Sequence, residues 1–260
     1  MTDHVLRDTA DGVLTLTLNR PDKKNALTRA MYQMLGDAID AAAGDAEVRC
    51  ILLQGEGDMF TAGNDLGEFA AIAAAPQAAD AVRSGGNPLL NALGRATVPV
   101  VAAVNGRAVG IGTTLLLHCD LVYLADDAVL STPFVNLALV PEAASSVLLP
   151  ARIGHARAFA MFVLGEPVDA RRALEWGLAN TICPRAELRA TARRAAAAIA
   201  SRPRSAVRLT KSLMRDAAAI GERMALEAVH FTAQLKSAEA REAFAAFAEK
   251  RAPDFSRARV

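Results

Sequence analysis

Apolar and polar positions along the chain follow the period of strands in some segments and the period of helices in others. Residues Val13–Leu18 alternate between aliphatic side chains and threonine before Asn19-Arg20-Pro21, which predicts a strand and a turn. In residues 29–43 the apolar side chains recur at helical spacing after Thr28, a typical N-cap residue, and before Gly44. Further strands are predicted at 48–54, 98–104 and 120–125.

The order of these elements predicts the fold class. Strand, loop and helix recur about three times before residue 135, and almost wholly helical sequence follows. Recurrence without sequence identity predicts an α/β fold in which similar units wind into a spiral. The alanine-rich segment 68–81 and the turn 84–88 form the region where we expect mobility. Helices are predicted at 187–201, 205–217, 221–236 and 238–250, and we expect them to form a helical appendage to the core.

Composition narrows the class of protein. With 260 residues, 52% of them hydrophobic and 22% charged, the chain is expected to be globular with a sizeable core, which excludes disordered and fibrous proteins. The net charge of +1 provides no global field for nucleic acid, so no nucleic-acid partner is expected. No apolar run reaches about 18 residues and the first ten residues carry charges throughout, so we expect a cytoplasmic protein without membrane contact.

The cysteines and histidines do not form a recognisable site in the sequence. Cys50, Cys119 and Cys183 lie far apart in apolar runs, without a Cys-x-x-Cys pair or a companion histidine. Buried free thiols are therefore predicted, and no metal site. The four histidines have no serine or cysteine nucleophile motif beside them, so a hydrolase triad is not expected.

Two glycine-containing turns carry the candidate chemistry. Residues 100–115 run from a buried strand through a loop with three glycines into a helix, where backbone N–H groups are free to bind an anion or an oxyanion. A dinucleotide fingerprint is disfavoured because the third glycine is missing after Gly112, and a P-loop because no Gly-Lys-Ser/Thr follows. Residues 59–69 form a second such turn. Together the two turns have the pattern of an oxyanion hole for one carbonyl oxygen.

A series of short motifs resembles the crotonase (enoyl-CoA hydratase/isomerase) superfamily over residues 13–255. The motifs are Leu18-Asn19-Arg20-Pro21, Asn25-Ala26-Leu27, Phe60-Thr61-Ala62-Gly63-Asn64-Asp65-Leu66, Ala103-Val104-Asn105-Gly106, Cys119-Asp120-Leu121, Leu164-Gly165 and residues 246–255. The resemblance implies an α/β, crotonase-like ββα spiral core in residues 1–200 that binds acyl-CoA. It also implies a C-terminal helical trimerisation region in residues 201–260 and assembly as a homotrimer or homohexamer.

The resemblance assigns the oxyanion hole to two peptide N–H groups, those of Asn64 and Ile111. These groups would polarise the thioester carbonyl of an acyl-CoA. Because the donors are backbone groups, the side chains at the two positions do not abolish the hole. The helix that begins near Gly112 adds the positive end of its dipole to the same oxygen.

Hydratases of the family use two glutamates to position and split water, and this chain has neither. The matching positions are Thr114 and Phe134. Thr114 is uncharged at neutral pH and Phe134 does not titrate, so water addition by two carboxylates is not expected. A purely structural role of the Thr114 hydroxyl, as a donor to a backbone carbonyl one turn earlier, is the alternative to substrate contact.

One acidic residue fits another reaction of the family. Pro141-Glu142 resembles the Δ3,Δ2-enoyl-CoA isomerase branch, in which Pro-Glu opens the corresponding helix and the glutamate is the single base. Glu142 would move a proton from C2 to C4 and so convert 3-enoyl-CoA to 2-trans-enoyl-CoA. Apolar neighbours would raise its basicity by desolvation. The alternative role of Glu142 is a helix-start carboxylate that complements the helix dipole.

The resemblance also places the CoA part of the substrate. Its nucleotide is expected near Lys23, Lys24, Asn25 and Ala26, and adenine and pantetheine near the peptide groups of Ala62, Asp65 and Leu66. Further candidates for substrate contact are Gly110, Thr114 and Phe134. Lysine suits phosphate capture, although each lysine is equally well explained as a solvated turn residue. No separate cofactor is expected, since coenzyme A is part of the thioester.

Two other functions remain open on the sequence. One is enoyl-CoA hydration or another crotonase-type lyase reaction that uses an unrecognised acid. The other is a non-catalytic acyl-CoA-binding protein that kept the fold and lost the glutamate pair. Fold resemblance does not separate these alternatives, because one fold hosts many reactions.

Overall fold

The computed structural model describes residues 4–68 and 86–257, and these contain nine strands and ten α-helices. The strands are β1 Val5–Ala10, β2 Val13–Leu18, β3 Cys50–Gly55, β4 Val100–Val104, β5 Arg107–Val109, β6 Leu121–Ala125, β7 Val129–Ser131, β8 Val168–Asp169 and β9 Thr181–Cys183. The helices are α1 Arg29–Gly44, α2 Pro88–Arg95, α3 Ile111–Thr114, α4 Ser145–Ile153, α5 His155–Phe159, α6 Ala170–Glu175, α7 Leu188–Ala200, α8 Arg204–Leu213, α9 Ala217–Leu235 and α10 Ala238–Ala248.

The main sheet contains six strands in the order β1-β2-β3-β4-β6-β9. β1 pairs antiparallel with β2, and every other neighbouring pair is parallel. β4, with the sequence Val-Val-Ala-Ala-Val, is buried along its whole length, as expected of a central parallel strand covered on both faces. The loops that follow β3 and β4 leave the same edge of the sheet, so the two predicted turns are neighbours.

A smaller sheet lies beside this edge. Its order is β5-β7-β8, with β5 parallel to β7 and β7 antiparallel to β8. An isolated bridge between Thr61 and Ala108 ties the loop after β3 to β5. The small sheet therefore holds the second turn, after β5, against the first.

Helices cover both faces of the main sheet. α7 packs on one face through Leu188, Ala192, Ala196 and Ala200, against a cluster that includes Cys50 and Val101. α1 and α2 belong to the larger core on the other face, and Leu235, Ala240 and Phe244 from α9 and α10 join the same core. The C-terminal helices are therefore packed against the α/β core. None of the described helices has both the length and the apolar character needed to cross a membrane.

Most of the predicted elements are confirmed to within a few residues. Thr28 is the N-cap of α1, with its side chain accepting a hydrogen bond from the Met31 N–H at 3.3 Å. The three cysteines are buried and free, as predicted. Nearly all of the alanine-rich segment 68–81, where we expected mobility, lies outside the described residues.

One prediction about secondary structure is wrong, and several strands were missed. Residues beyond 135 are not almost wholly helical, because β9 supplies the sixth strand of the main sheet. β1, at the N-terminus, was missed because five of its six residues are exposed, which leaves no alternating apolar pattern to detect. The strands β5, β7, β8 and β9 have two or three residues each, too few to show a period.

Candidate active site

The two glycine turns lie side by side, as the sequence predicted. The Thr61 N–H donates to the Arg107 carbonyl at 3.2 Å, and the Val109 N–H donates to the Thr61 carbonyl at 3.1 Å. Between them Gly63 has φ +89°, and a Cβ at this position would lie 2.7 Å from the Val109 carbonyl oxygen. Glycine is required at position 63 because the backbones of the two turns approach too closely for a side chain.

The backbone N–H groups of Asn64 and Ile111 lie on these adjacent turns. In the segments 4–68 and 86–257, neither group has an acceptor within the protein. The Gly110 N–H is instead paired with the Ser131 carbonyl at 2.8 Å, and the Gly110 carbonyl accepts from the Thr114 N–H at 3.0 Å, which starts α3 at Ile111. Two N–H groups without acceptors on neighbouring turns suit a negatively charged oxygen.

Glu142 lies in the segment between the Val135–Leu137 turn and α4. Its Oε1 accepts a hydrogen bond of 3.1 Å from the hydroxyl of Thr114, which is fully buried in the last position of α3. Burial raises the pKa of Glu142 to about 8, and the negative charge of Glu227 acts in the same direction, whereas the Thr114 hydrogen bond lowers it. A carboxyl group with a pKa near neutrality is suited to take up and release a proton.

Tyr32 is a polar residue of this site that the sequence reasoning missed. It is buried on α1, and its hydroxyl donates a short hydrogen bond to Oδ1 of Asn64. Burial, and next the negative charge of Glu142, raise the pKa of Tyr32 well above its usual value, so the phenol stays protonated. Tyr32 therefore connects two predicted site residues: it is hydrogen-bonded to the Asn64 side chain and interacts electrostatically with Glu142. The position of Tyr32 on the core-facing side of α1 predicts that it is buried, but it gives no sign of this role.

A cavity of about 570 Å³ opens at the two turns. Eight of the residues predicted for the site line it: Lys23, Ala26, Ala62, Asn64, Asp65, Leu66, Gly110 and Phe134. Lys24, Asn25, Ile111, Thr114 and Glu142 are not part of its lining. Ile111 and Thr114 are nevertheless connected to it through the turn at Gly110, and Glu142 through Thr114.

Asn25 points into the protein and does not line the cavity. Its side chain is fully buried. Nδ2 donates to the carbonyls of Glu56 and Met59, both at 2.8 Å, and Oδ1 accepts from the Arg20 N–H at 2.8 Å. The Asn25 side chain therefore braces the loop before the first turn, and the placement of the CoA nucleotide near this residue stays a prediction.

An ion pair fixes the cavity wall near the predicted nucleotide site. Nη1 of Arg20 lies 2.7 Å from Oδ2 of Asp65 and also donates to the Ala26 carbonyl at 3.1 Å. The hydrogen bond from Arg20 lowers the pKa of Asp65. Since Ala26 and Asp65 both line the cavity, Arg20 holds two of its walls together.

The C-terminal region completes the cavity, in addition to the trimerisation that the resemblance implies for it. Its helices and the segment after α10 contribute Phe231, Ala243, Phe247, Arg251 and Pro253 to the lining. Arg251 is held by Glu242 and Glu249, with N···O distances of 2.5 Å to each. The helix periodicity of this region did not reveal these contacts, because a helical pattern does not state which surface a helix will meet.

Comparison with known proteins agrees with this arrangement. The sequence profile described as "Enoyl-CoA hydratase/isomerase" matches residues 8–258. The "1,2-epoxyphenylacetyl-CoA isomerase" of Escherichia coli (strain K12) is 34% identical over 260 residues, covering 98% of this chain and 99% of that protein. The "Enoyl-CoA delta isomerase 2" of Rattus norvegicus is 35% identical over 216 residues, covering 81% of this chain and 54% of the rat protein.

A solved structure described as "enoyl-CoA hydratase/isomerase from Pseudoalteromonas atlantica T6c" superimposes with a TM-score of 0.89. It is 40% identical, and the alignment covers 97% of this chain and 100% of that one. The family profile and this structure cover both the α/β core and the C-terminal helices. By sequence and by fold, the chain belongs to the enoyl-CoA hydratase/isomerase family of the crotonase superfamily.

Proposed function

We propose that the protein is an isomerase that converts 3-enoyl-CoA to 2-trans-enoyl-CoA, with Glu142 as its single base. The observation that carries the proposal is the environment of Glu142. Its carboxyl group has a pKa raised to about 8 and accepts a hydrogen bond from the Thr114 hydroxyl. The two relatives quoted above have isomerase names and other relatives have hydratase names, so the choice of an isomerase rests on the site and not on the names. Coenzyme A enters as part of the substrate, and no separate cofactor takes part.

In the proposed reaction the thioester oxygen sits at the N–H groups of Asn64 and Ile111. The Glu142 carboxylate removes a proton from C2, and the electron pair of the broken C–H bond moves into the carbonyl, giving a dienolate. The two N–H groups stabilise the charge that develops on the oxygen. Glu142 then returns the proton to C4, the double bond shifts to C2–C3, and the carboxylate is regenerated.

Hydration is disfavoured in this site because the described residues provide no second acid in the position of the missing hydratase glutamate. Phe134 and Thr114 occupy the positions of the two hydratase glutamates in the family resemblance, and the Thr114 hydroxyl is bonded to Glu142. Two other carboxylates act electrostatically at the site: Glu68 on Tyr32, and Glu227 on Glu142. Glu68 accepts from the Arg29 N–H at 2.9 Å and Glu227 from the N–H groups of Ala144 and Ser146, so both are engaged by backbone.

The deciding experiment compares the wild type with Glu142→Gln on 3-enoyl-CoA and on 2-trans-enoyl-CoA. Double-bond migration and water addition are followed separately by NMR. We expect migration without hydration, and a loss of about 10³-fold or more in the variant, because glutamine cannot accept the proton. Glu222→Gln, at an exposed position on α9, is the matched control.

Three outcomes contradict the proposal. Hydration that survives Glu142→Gln would require another acid and would favour a hydratase or lyase. Migration that survives the substitution would remove Glu142 from the reaction. Thioester binding without turnover of either substrate would favour a non-catalytic acyl-CoA-binding protein.

A further inference from the structure

The backbone that follows Glu142 adopts an unusual conformation. Ala143 and Ala144 have φ values of +64° and +53°, the left-handed region that alanine rarely occupies. Two consecutive residues of this kind persist only where the surrounding structure holds them. Because the turn comes directly after Glu142, whatever holds the turn also determines where the Glu142 side chain points.

Glu227 holds one side of this turn. It lies on α9, more than eighty residues away in sequence, and its side chain is buried with 6% exposure. Oε2 accepts a hydrogen bond of 2.6 Å from the Ala144 N–H, and Oε1 accepts one of 2.9 Å from the Ser146 N–H. Both carboxylate oxygens are thus used on the backbone at the start of α4, where a negative charge also complements the helix dipole.

His118 holds the other side of the turn. Its fully buried ring places Nε2 2.7 Å from the Ala143 carbonyl oxygen, while an Arg215 guanidinium nitrogen contacts Nδ1. Arginine only donates, so Nδ1 is the acceptor and Nε2 carries the proton that goes to Ala143. Burial lowers the pKa of His118 to about 3, so this tautomer stays neutral.

We propose that Glu227 is a positioning residue for Glu142, because its carboxylate fixes the turn at 143–146 that directly follows Glu142. The inference rests on the proposed function, in which Glu142 is the base. Glu227 acts through backbone N–H groups and through its charge, and it does not line the cavity.

The groups that surround the carboxyl groups of Glu142 and Glu227 are consistent with a raised pKa of Glu142. Glu142 faces the Thr114 hydroxyl and the charge of Glu227, and it interacts electrostatically with the neutral phenol of Tyr32. Burial raises the pKa of Glu227, whereas the hydrogen bonds from Ser146 and Ala144 and the cation of Arg223 on its own helix favour its ionised form. The nearby His118 is neutral, and the negative charge of Glu227 raises the pKa of Glu142.

The test uses Glu227→Gln, Glu227→Asp and Glu227→Ala in the full-length protein, with Glu222→Gln as the exposed control on the same helix. kcat and KM for 3-enoyl-CoA are measured across pH. In the absence of substrate, the titration of the Glu142 carboxyl carbon is followed by ¹³C NMR, with Glu142→Gln assigning the signal. Thermal unfolding followed by circular dichroism shows which variants fold.

For Glu227→Ala we expect kcat to fall by about 10²-fold with little change in KM, because the base is displaced while the binding cavity is kept. Glu227→Gln removes the charge, so the Glu142 carboxyl titrates at lower pH than in the wild type. Glu227→Asp keeps the charge, retains the high pKa and restores part of kcat. Glu222→Gln behaves as the wild type.

The inference is overturned if the Glu142 titration is the same in Glu227→Gln and the wild type, or if a folded Glu227→Ala keeps the wild-type kcat. Where Glu227→Ala does not fold, Glu227→Gln decides the question alone. Failure of the proposed function gives a different result: the wild type does not isomerise 3-enoyl-CoA, while the NMR titration still reports whether Glu227 controls the proton affinity of Glu142.

Discussion

The hydroxyl of Thr114 donates a hydrogen bond of 3.1 Å to Oε1 of Glu142. Thr114 stands where the resemblance to hydratases places the first of two catalytic glutamates. In this chain that position serves the remaining carboxylate: the Thr114 hydroxyl stabilises the ionised form of Glu142 and lowers a pKa that burial raises.

Replacing Thr114 by valine removes the hydrogen bond and raises the pKa of Glu142 further above about 8. A smaller fraction of Glu142 is then ionised at neutral pH. Since a hydrogen bond to a charged group contributes about 1.5 to 3 kcal/mol, we expect kcat/KM at pH 7 to fall by about tenfold or more. The acid limb of the pH profile of kcat/KM should move to higher pH.

Thr132→Val is the matched control for this substitution. Thr132 is also fully buried, but its hydroxyl has no hydrogen-bond partner among the described residues. Its pH profile should coincide with that of the wild type. An unshifted profile in Thr114→Val would contradict the role given to this hydrogen bond.

Glu142→Gln should stabilise the protein at alkaline pH. The folded-state pKa of about 8 lies above 4.5, the usual pKa of a solvated glutamate. Between these values the folded state binds more protons than the unfolded state, so wild-type stability falls as pH rises. Each pKa unit corresponds to about 1.4 kcal/mol, so at pH 9 we expect the variant to exceed the wild type by at least about 1 kcal/mol relative to their difference at pH 4.5.

Urea unfolding at the two pH values measures this difference. Glu222→Gln, at an exposed position, should show no such gain. A Glu142→Gln variant that gains nothing between pH 4.5 and pH 9 would mean that Glu142 titrates like a solvated carboxyl group.

Gly63→Ala should damage the oxyanion hole. The added Cβ meets the Val109 carbonyl oxygen at 2.7 Å on a backbone with φ +89°, so the two turns must move apart. Loss of one oxyanion donor typically lowers kcat by about 10²- to 10³-fold. We expect a decrease of this order in steady-state assays with 3-enoyl-CoA.

Gly44→Ala provides the comparison for Gly63→Ala, because a Cβ at the end of α1 has no neighbouring atom within 4 Å. It should leave kcat unchanged. Full activity in Gly63→Ala would show that the two turns do not need their present separation.

His118 should contribute to acid unfolding. Its folded-state pKa of about 3 lies below 6.5, the usual pKa of a solvated histidine, so between these values only the unfolded state takes up the proton. Stability is therefore lost as pH falls from 6.5 towards 3, by up to about 1.4 kcal/mol per pH unit. His118→Gln should flatten this part of the curve of unfolding free energy against pH, although its stability at neutral pH is lower.

The exposed His155 supplies the control, since His155→Gln should retain the wild-type slope. Denaturant titrations at several pH values between 3 and 7 give the slopes directly. Equal slopes in His118→Gln and the wild type would show that another group governs acid unfolding.

The main helices and the longer strands were predictable because their signals are local. Thr28, the spacing of apolar residues on α1 and Gly44 define that helix within a few consecutive turns. The glycine turns near Gly63 and Gly110 were predictable for the same reason, since positive φ demands a particular residue at a particular position. β1 and the shortest strands escaped detection because they are stabilised by hydrogen bonds to other strands. Such pairing leaves little pattern of apolar and polar residues within the strand itself.

The sequence by itself determined the α/β class, the two turns, the family resemblance and the candidacy of Glu142. Only the tertiary structure decided that Tyr32, His118 and Glu227 converge on the segment that carries Glu142, and that Asn25 faces inward. The reason is physical. Hydrophobic periodicity records whether a residue is buried, but the partner of a buried polar group, and the pKa that follows from it, depend on distances between segments far apart in the chain.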